Sequence, residues 1–436
     1  MPPALLFSLS SSLSRLGGLP LSRGAFEAVR VFDRLGRACL PAMCRVKLFV
    51  LFFFSCIAFA KSIEQPEGRK NDRCVCAVSW RRDGRFGALF GGFRMRRSGA
   101  RFGRSAALAS VVMPCRNAAA TLVEAVASIQ GQTHSCWELL LFDDGSTDAS
   151  GDIAGALARG DSRIRLIRSG PVGIVEALRR ACDAAQGEYI ARMDADDVAH
   201  PARLEAQIAL LMERPDVALC GADVAVFGER VGLGRQRYAA WLNGLTDHAA
   251  MVRELFVECP IAHPTFFLRR ETLDEVGGYT DRGWAEDYDL VMRLFLAGKR
   301  FAKVPCPLLR WRESPGRFSM RDARYGPARF RALKRDYLGR SYLAGDRPFF
   351  QWGAGEVGKP WLREWGEHRP LAVVDIHPRK IGRCIHGYGV MAPEGLPAPG
   401  AAFVVVAVGA PGARDEIRAW MRGRGYGELE DYLFLA

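Results

Sequence analysis

Gly187-Glu188-Tyr189-Ile190-Ala191-Arg192-Met193-Asp194-Ala195-Asp196-Asp197 is the stretch that decides the fold. Tyr189 to Met193 reads as a strand, and the chain then runs directly into carboxylates. Pro201 follows and opens a helix with Leu204, Ile208 and Leu211 on one face. The same alternation extends upstream. Leu108–Met113 reads as a strand, and Thr121–Gln130 as a helix with Leu122, Val123, Val126 and Ile129 on its apolar face. Strands at Glu138–Phe142 and Ile164–Ile167 and a helix at Ile174–Ala185 continue the pattern. Strand–helix alternation at this spacing predicts an α/β fold with a largely parallel sheet covered on both faces. Ligands of such sheets sit beyond the carboxyl ends of the strands.

A second α/β unit begins near Arg347. Phe349–Trp352, Leu371–Asp375 and Phe403–Val408 read as strands, Asp415–Met421 as a helix, and Tyr432–Leu435 as a closing strand. Between the units, Ser314 to Gly345 is rich in Arg and Gly, which predicts a loop and a connecting helix. The expected organisation is a basic leader (1–105), a first α/β domain (106–320), a connecting segment (321–346) and a small C-terminal domain (347–436).

Charge separates the leader from the rest. Net charge is +13 over 436 residues, and residues 1–105 hold 19 of the 61 Lys and Arg but 6 of the 48 Asp and Glu. The remainder of the chain carries 42 of each sign, so its neutrality removes the basis for a nucleic-acid partner. The apolar run Leu48 to Ala60 is 13 residues long, short of the roughly 20 that span a membrane. If translation began at Met43, Arg45 and Lys47, the run itself and Ala58-Phe59-Ala60 would form a signal peptide. With basic residues on both flanks, the run also suits a peripheral membrane anchor. The reading favoured here treats 1–105 as disordered or as upstream extension, with the working start near Met95. The 12 cysteines include no CxxC pair, and those after the leader are isolated, as in a reducing compartment. A cytoplasmic protein, or one on the inner face of the membrane, is the expectation.

Acids gather after apolar strands in three places: Asp143-Asp144-Gly145-Ser146-Thr147-Asp148, Asp194-Ala195-Asp196-Asp197, and Glu286-Asp287-Tyr288-Asp289. Each alone has an ordinary reading, since Asp-Gly-Ser is turn chemistry and acids cap helices. Together, their mutual repulsion calls for a cation. Hard oxygen ligands suit Mg2+ or Mn2+ carrying a substrate diphosphate.

These motifs, in this order, resemble the family 2 inverting glycosyltransferases. The resemblance runs from about Ala109 to Ser319 and includes Ser110-Val111-Val112-Met113-Pro114-Cys115-Arg116-Asn117, the Asp143 cluster, the DxD region at Asp194–Asp197 followed by His200-Pro201, and Gly277-Gly278-Tyr279 before Trp284-Ala285-Glu286-Asp287. It implies a GT-A nucleotide-diphospho-sugar transferase fold and transfer of a sugar from a nucleotide sugar, UDP-linked in the first instance, to a hydroxyl of a glycan or lipid-linked acceptor. It implies that Pro114, Arg116, Asn117, Asp144 and Ser146 line the nucleotide pocket. Asp196, with Asp194, would hold Mn2+ or Mg2+, and Asp194 would also lie by the ribose. Asp287 would be the general base, with Glu286 and Trp284 beside the acceptor. Arg312, with Arg317 and Ser319, would sit on a loop closing over the diphosphate. His263, before Pro264, reads equally as a structural histidine or as a group near donor or acceptor.

In the C-terminal unit Gly353-Ala354-Gly355-Glu356-Val357-Gly358 follows a strand, and Asp375 ends the next strand 22 residues after Gly353. That context fits a dinucleotide: Gly353, Gly355 and Gly358 for the turn and close pyrophosphate approach, Asp375 for a ribose hydroxyl. The unit resembles small Rossmann-like domains of sugar-modifying proteins, which implies ligand binding or docking rather than hydride transfer. Two alternatives stay open: a nucleotide-sugar- or NAD-responsive binding protein with a degenerate transferase site, and a transferase fused to an NAD-dependent oxidoreductase.

Overall fold

The computed structural model describes residues 107–314 and 322–436, and in the leader the paired strands β1 (Cys76–Trp80) and β2 (Phe86–Phe90). The run Leu48–Ala60, and Arg317 and Ser319, lie outside the described residues. Sequence reading placed no strand in the leader. The antiparallel pair is five residues a side, too short to show a sustained period, and is built from strand formers such as Val78, Trp80, Phe86 and Phe90. It belongs to one compact unit, Met1–Arg96, and both larger sheets belong to another, Arg97–Ala436.

The first large sheet arises from β3 (Ala109–Cys115), α1 (Leu122–Gln130), β4 (Trp137–Asp144), α2 (Ser150–Gly160), β5 (Ile164–Ser169), α3 (Ile174–Ala184) and β6 (Tyr189–Arg192). β7 (Val198–Ala199), α4 (Arg203–Glu213), β8 (Val217–Phe227), α5 (Leu233–Gly244), α6 (His248–Glu254), β9 (Phe267–Arg269), α7 (Arg270–Glu275), α8 (Glu286–Leu296) and β10 (Arg300–Arg312) complete it. The strand order is β5-β4-β3-β6-β9-β8-β10-β7. β3 to β6 are parallel, as their strand–helix rhythm requires. Beyond β6 the sheet is mixed: β9 is antiparallel to both β6 and β8, and β7 to β10. The chain enters β9 not through a crossover helix but through the tight turn His263–Thr265, which delivers the strand in the opposite sense.

Strand alternation splits the core in two. Leu139 and Leu141 face α1 with Leu122, Val126 and Ile129, whereas Leu140 and Phe142 face α3 with Val175 and Leu178. The second cluster continues through α9 (Pro327–Gly339), by Leu333, Tyr337 and Leu338, into the C-terminal lobe at Phe349, Trp361, Trp365 and Phe403. Each such fully buried apolar side chain contributes roughly 2–3 kcal/mol.

The C-terminal lobe comprises β11 (Phe349–Trp352), α10 (Gly358–Glu364), β12 (Val373–Val374), β13 (Cys384–Ile385), β14 (Tyr388–Met391), β15 (Phe403–Val406), α11 (Ala413–Arg422) and β16 (Tyr432–Phe434). Its order is β13-β14-β12-β11-β15-β16, with all pairs parallel except the β13–β14 hairpin. From β11 the chain moves to β12 on one side and later returns to β15 on the other. The reversal opens a crevice between β11 and β15, as in doubly wound sheets.

Candidate active site

Parallel β3, β4 and β6 end on one edge of the sheet, which brings the first two acidic clusters to the same rim. Pro114 is buried within β3, and Arg116 and Asn117 emerge exposed from its end. Asn117 adopts φ 53°, a left-handed conformation that asparagine tolerates. Its side-chain Oδ1 accepts from the Thr147 amide at 2.8 Å, and its backbone amide donates to Ser146 Oγ at 3.1 Å. Ser146 in turn donates its amide to Asp143 at 3.1 Å. The two loops are thus one rigid rim. Asp144 accepts from the amides of Val172 (2.6 Å) and Gly173 (3.2 Å) and lies 3.8 Å from Arg116. Its carboxylate therefore anchors the loop after β5 as well as facing Arg116.

The second cluster has the makings of a cation site. Asp194, Asp196 and Asp197 each offer an oxygen, and these atoms lie within 4.8 Å of one another. Asp197 Oδ1 accepts from the Arg312 amide at 2.7 Å, but Oδ2 is buried with no hydrogen-bond partner among the described residues. An orphaned buried carboxylate oxygen is costly unless something positive completes it. Burial, and next the charge of Asp194, push Asp196 up to about 6. Asp197 lies well above the carboxylate range for the same reasons, with Asp196 adding to them. These three residues fit a divalent cation: hard oxygen donors that converge, one of them with a buried oxygen left without a partner among the described residues.

Arg312 is not on a loop, as sequence reading had it. It is the last residue of β10, its Nε donates to the Asp196 carbonyl at 2.6 Å, and its guanidinium pairs with Glu124. It latches the Asp194–Asp197 turn against α1, and Thr121 Oγ1 adds a second latch to the Ala195 carbonyl at 3.0 Å.

The third cluster starts α8, where a carboxylate complements the helix dipole. Its members separate sharply. Asp289 is fully buried and accepts from Trp284 Nε1 (2.8 Å), Arg293 Nε (2.7 Å), Tyr337 OH (2.8 Å) and Thr280 Oγ1 (2.9 Å). Those partners outweigh the burial that would raise it and hold it below the usual range. Asp289 is a structural anchor, and it fixes the Trp284 indole by spending its N–H. Glu286 is buried, accepts from Tyr325 OH at 2.7 and 3.0 Å, and is pushed up to about 7 by burial and then by Asp287. Asp287 is half-buried, and burial raises it too, although its Oδ1 accepts the Tyr288 amide at 2.7 Å. It has solvent access that Glu286 lacks.

Arg192, at the end of β6, joins the two acidic clusters and was missed in the sequence. It is buried, pairs with Asp194 at 2.5 Å, and its charge also acts on Asp196, Asp197, Glu286 and Asp287. The charge of Asp194 likewise reaches Asp287. A cation inside an otherwise apolar strand is the signal that could have found it. His263 sits at the mouth of β9, 3.6 Å from Glu286 and 2.9 Å from Tyr279 OH. Burial and Arg192 push it well below the usual histidine range, so it is a neutral hydrogen-bonding group. Tyr279 and Tyr325 complete this wall, and no sequence motif marked Tyr325.

The C-terminal glycines and Asp375 are elsewhere, around a separate cavity. Among the described residues no helix is long and apolar enough to cross a membrane.

Residues 110–277 match the family model described as glycosyl transferase family 2. A Bacillus subtilis (strain 168) protein named as a glycosyltransferase, EpsE, is 34% identical over 223 residues, covering 50% of this chain and 77% of the relative. The amylovoran biosynthesis glycosyltransferase AmsE of Erwinia amylovora is 27% identical over 194 residues, covering 44% of this chain and 70% of the relative. Among solved structures, S. aureus TarS 1–349 in complex with UDP-GlcNAc aligns at 19% identity and a TM-score of 0.43, covering 55% of this chain and 67% of that chain.

Proposed function

The chain belongs to glycosyl transferase family 2, and from that premise we propose a metal-dependent, inverting transfer of a sugar from a nucleotide sugar, UDP-linked, to an acceptor hydroxyl in glycan synthesis. The observation that carries the reading is the pairing of a converging acidic triad, Asp194, Asp196 and Asp197, with Asp287 across the shared Arg192, one buried oxygen of Asp197 having no hydrogen-bond partner among the described residues.

In this reading the rim of Pro114, Arg116, Asn117, Asp144 and Ser146 holds the nucleoside, and Asp194 and Asp196, with Asp197 beside them, hold Mn2+ or Mg2+. When bound, that cation supplies Lewis-acid stabilisation of the departing diphosphate. Arg192 holds Asp194 in place, and Arg312 holds the turn that presents Asp196. Asp287 takes the proton of the acceptor hydroxyl as its oxygen attacks the anomeric carbon. The bond to the diphosphate breaks with its electron pair leaving on the nucleoside diphosphate, and the anomeric configuration inverts. Glu286, buried against Tyr325 and pushed up to about 7, holds its proton further toward neutrality than an ordinary carboxylate, and Asp287, with its solvent access, takes the role of base. Trp284, fixed by Asp289, offers an aromatic wall to the acceptor. The acceptor is a glycan or lipid-linked sugar, met in the cytoplasm or at the inner face of the membrane.

The test is donor turnover with Mn2+ or Mg2+. Asp196→Ala should lose the metal-dependent rate, and Asp287→Asn should lose about 10²–10⁴-fold in kcat. Full turnover in both variants would overturn the assignment.

A further inference from the structure

The transferase reading does not use the C-terminal lobe, yet the lobe contains a cavity of about 620 Å3 at the crevice between β11 and β15. That volume is in the range of small-molecule and cofactor sites. Gly353, Gly355, Asp375, Lys380, Val408 and Trp420 are among its walls.

Each glycine of the loop has a separate physical reason to be glycine. Gly353 has φ 113°, and a Cβ there would lie 2.5 Å from the Ala407 carbonyl oxygen, so it makes the turn that lets β11 and β15 close. A Cβ on Gly358 would lie 2.0 Å from the Gly353 carbonyl oxygen, so it packs the helix onto the turn. Gly355 differs: it is exposed, and a Cβ on it would meet nothing within 4 Å. The fold does not require glycine there, and its bare backbone borders the cavity. This is the division of labour by which a glycine loop admits a pyrophosphate.

Asp375 has a structural duty that the sequence did not show. Its Oδ2 accepts from the Ala354 amide (3.0 Å) and from Lys380 Nζ (2.8 Å), and its Oδ1 accepts from the His377 amide (2.9 Å). It acts as a strut that ties the glycine loop to Lys380, and its Oδ1 accepts from one donor only. The strut also neutralises the acid beside the loop and sets an ammonium on the cavity wall. The free carboxylates of the wall are Glu356 and Glu416, which have no ion pair among the described residues and can accept from sugar hydroxyls. Trp420 and Val408 supply an apolar face for a base. We propose that this cavity binds a ligand built on a nucleoside diphosphate, at a site separate from the transferase site. The ligand could be a dinucleotide or a second molecule of nucleotide sugar, which share that chemistry.

The wall has a path to the transferase lobe. Arg414 and Arg418, on the same α11 that carries Glu416 and Trp420, both pair with the largely buried Glu254 of α6, at 2.6 and 2.7 Å. Leu255, the next residue, accepts from the Tyr288 hydroxyl, and Tyr288 adjoins Asp287.

Calorimetric titration of the full chain with NAD+, ADP-ribose and a UDP-sugar tests the site. Two variants accompany wild type: Asp196→Ala, which disables the transferase site, and Gly355→Val, which fills the cavity in open space. The expected result is one saturable site for at least one probe, retained in Asp196→Ala and weakened at least ten-fold in Gly355→Val at unchanged Tm. Which probe binds identifies the source of the nucleoside diphosphate. The proposal is overturned if no probe binds Asp196→Ala at millimolar concentration, or if adding Gly355→Val to that variant leaves the binding untouched.

Discussion

Glu286 and Asp287 are neighbours in sequence with different duties, and the difference is water. Glu286 is buried against Tyr325 and pushed up to about 7 from an ordinary 4.5. The folded protein therefore keeps its proton through a range in which the unfolded chain has released it. The stability it contributes is present in full below pH 4.5 and is lost as pH rises through about 7. Tm should fall between pH 5 and pH 8, and Glu286→Gln, which keeps the volume and a hydrogen-bonding group for Tyr325, should flatten that fall. An equally steep fall in the variant would place the titration elsewhere. Because burial also raises Asp287, the acid limb of kcat/KM should lie above the ordinary carboxylate range in a pH–rate profile.

Elements place these residues, and two close approaches show how tightly. In the C-terminal lobe Gly358 must sit against the Gly353 carbonyl for α10 to follow β11. Gly358→Ala should cost about 1–3 kcal/mol, read as a lower denaturant midpoint, because a backbone oxygen cannot give way as a side chain can. Gly355→Ala, three residues earlier, should leave that midpoint unchanged, since its Cβ meets open space. In the first lobe the helical face of α1 and the alternation in β4 are legible from local periodicity. The antiparallel β9 is not, because three residues carry no period and its direction comes from the turn before it.

The two lobes share a core and a clamp. α9 runs Leu333, Tyr337 and Leu338 into both, while Glu254 binds Arg414 and Arg418. Lys334 Nζ adds a further tie to the Val257 carbonyl at 2.7 Å. Glu254→Gln takes the carboxylate from Arg414 and leaves Arg418 with Glu428 and Asp415, and should cost about 1–3 kcal/mol in chemical denaturation. If the transferase and C-terminal lobes were energetically independent, the variant's Tm would match wild type.

By itself the sequence determined where the carboxylates fall, after β4, after β6 and at the start of α8, and which glycines open the C-terminal loop. Those are matters of short-range periodicity, turn chemistry and helix starts, which a dozen residues encode. Only the tertiary structure decided what each acid does. It made Asp289 an anchor and left Asp287 accessible, tied Asp375 to Lys380, and put Arg312 under Asp197 from 115 residues away. Burial and partnership depend on contacts between distant segments, and these set the proton affinity and availability of a carboxylate, which its neighbours in sequence do not.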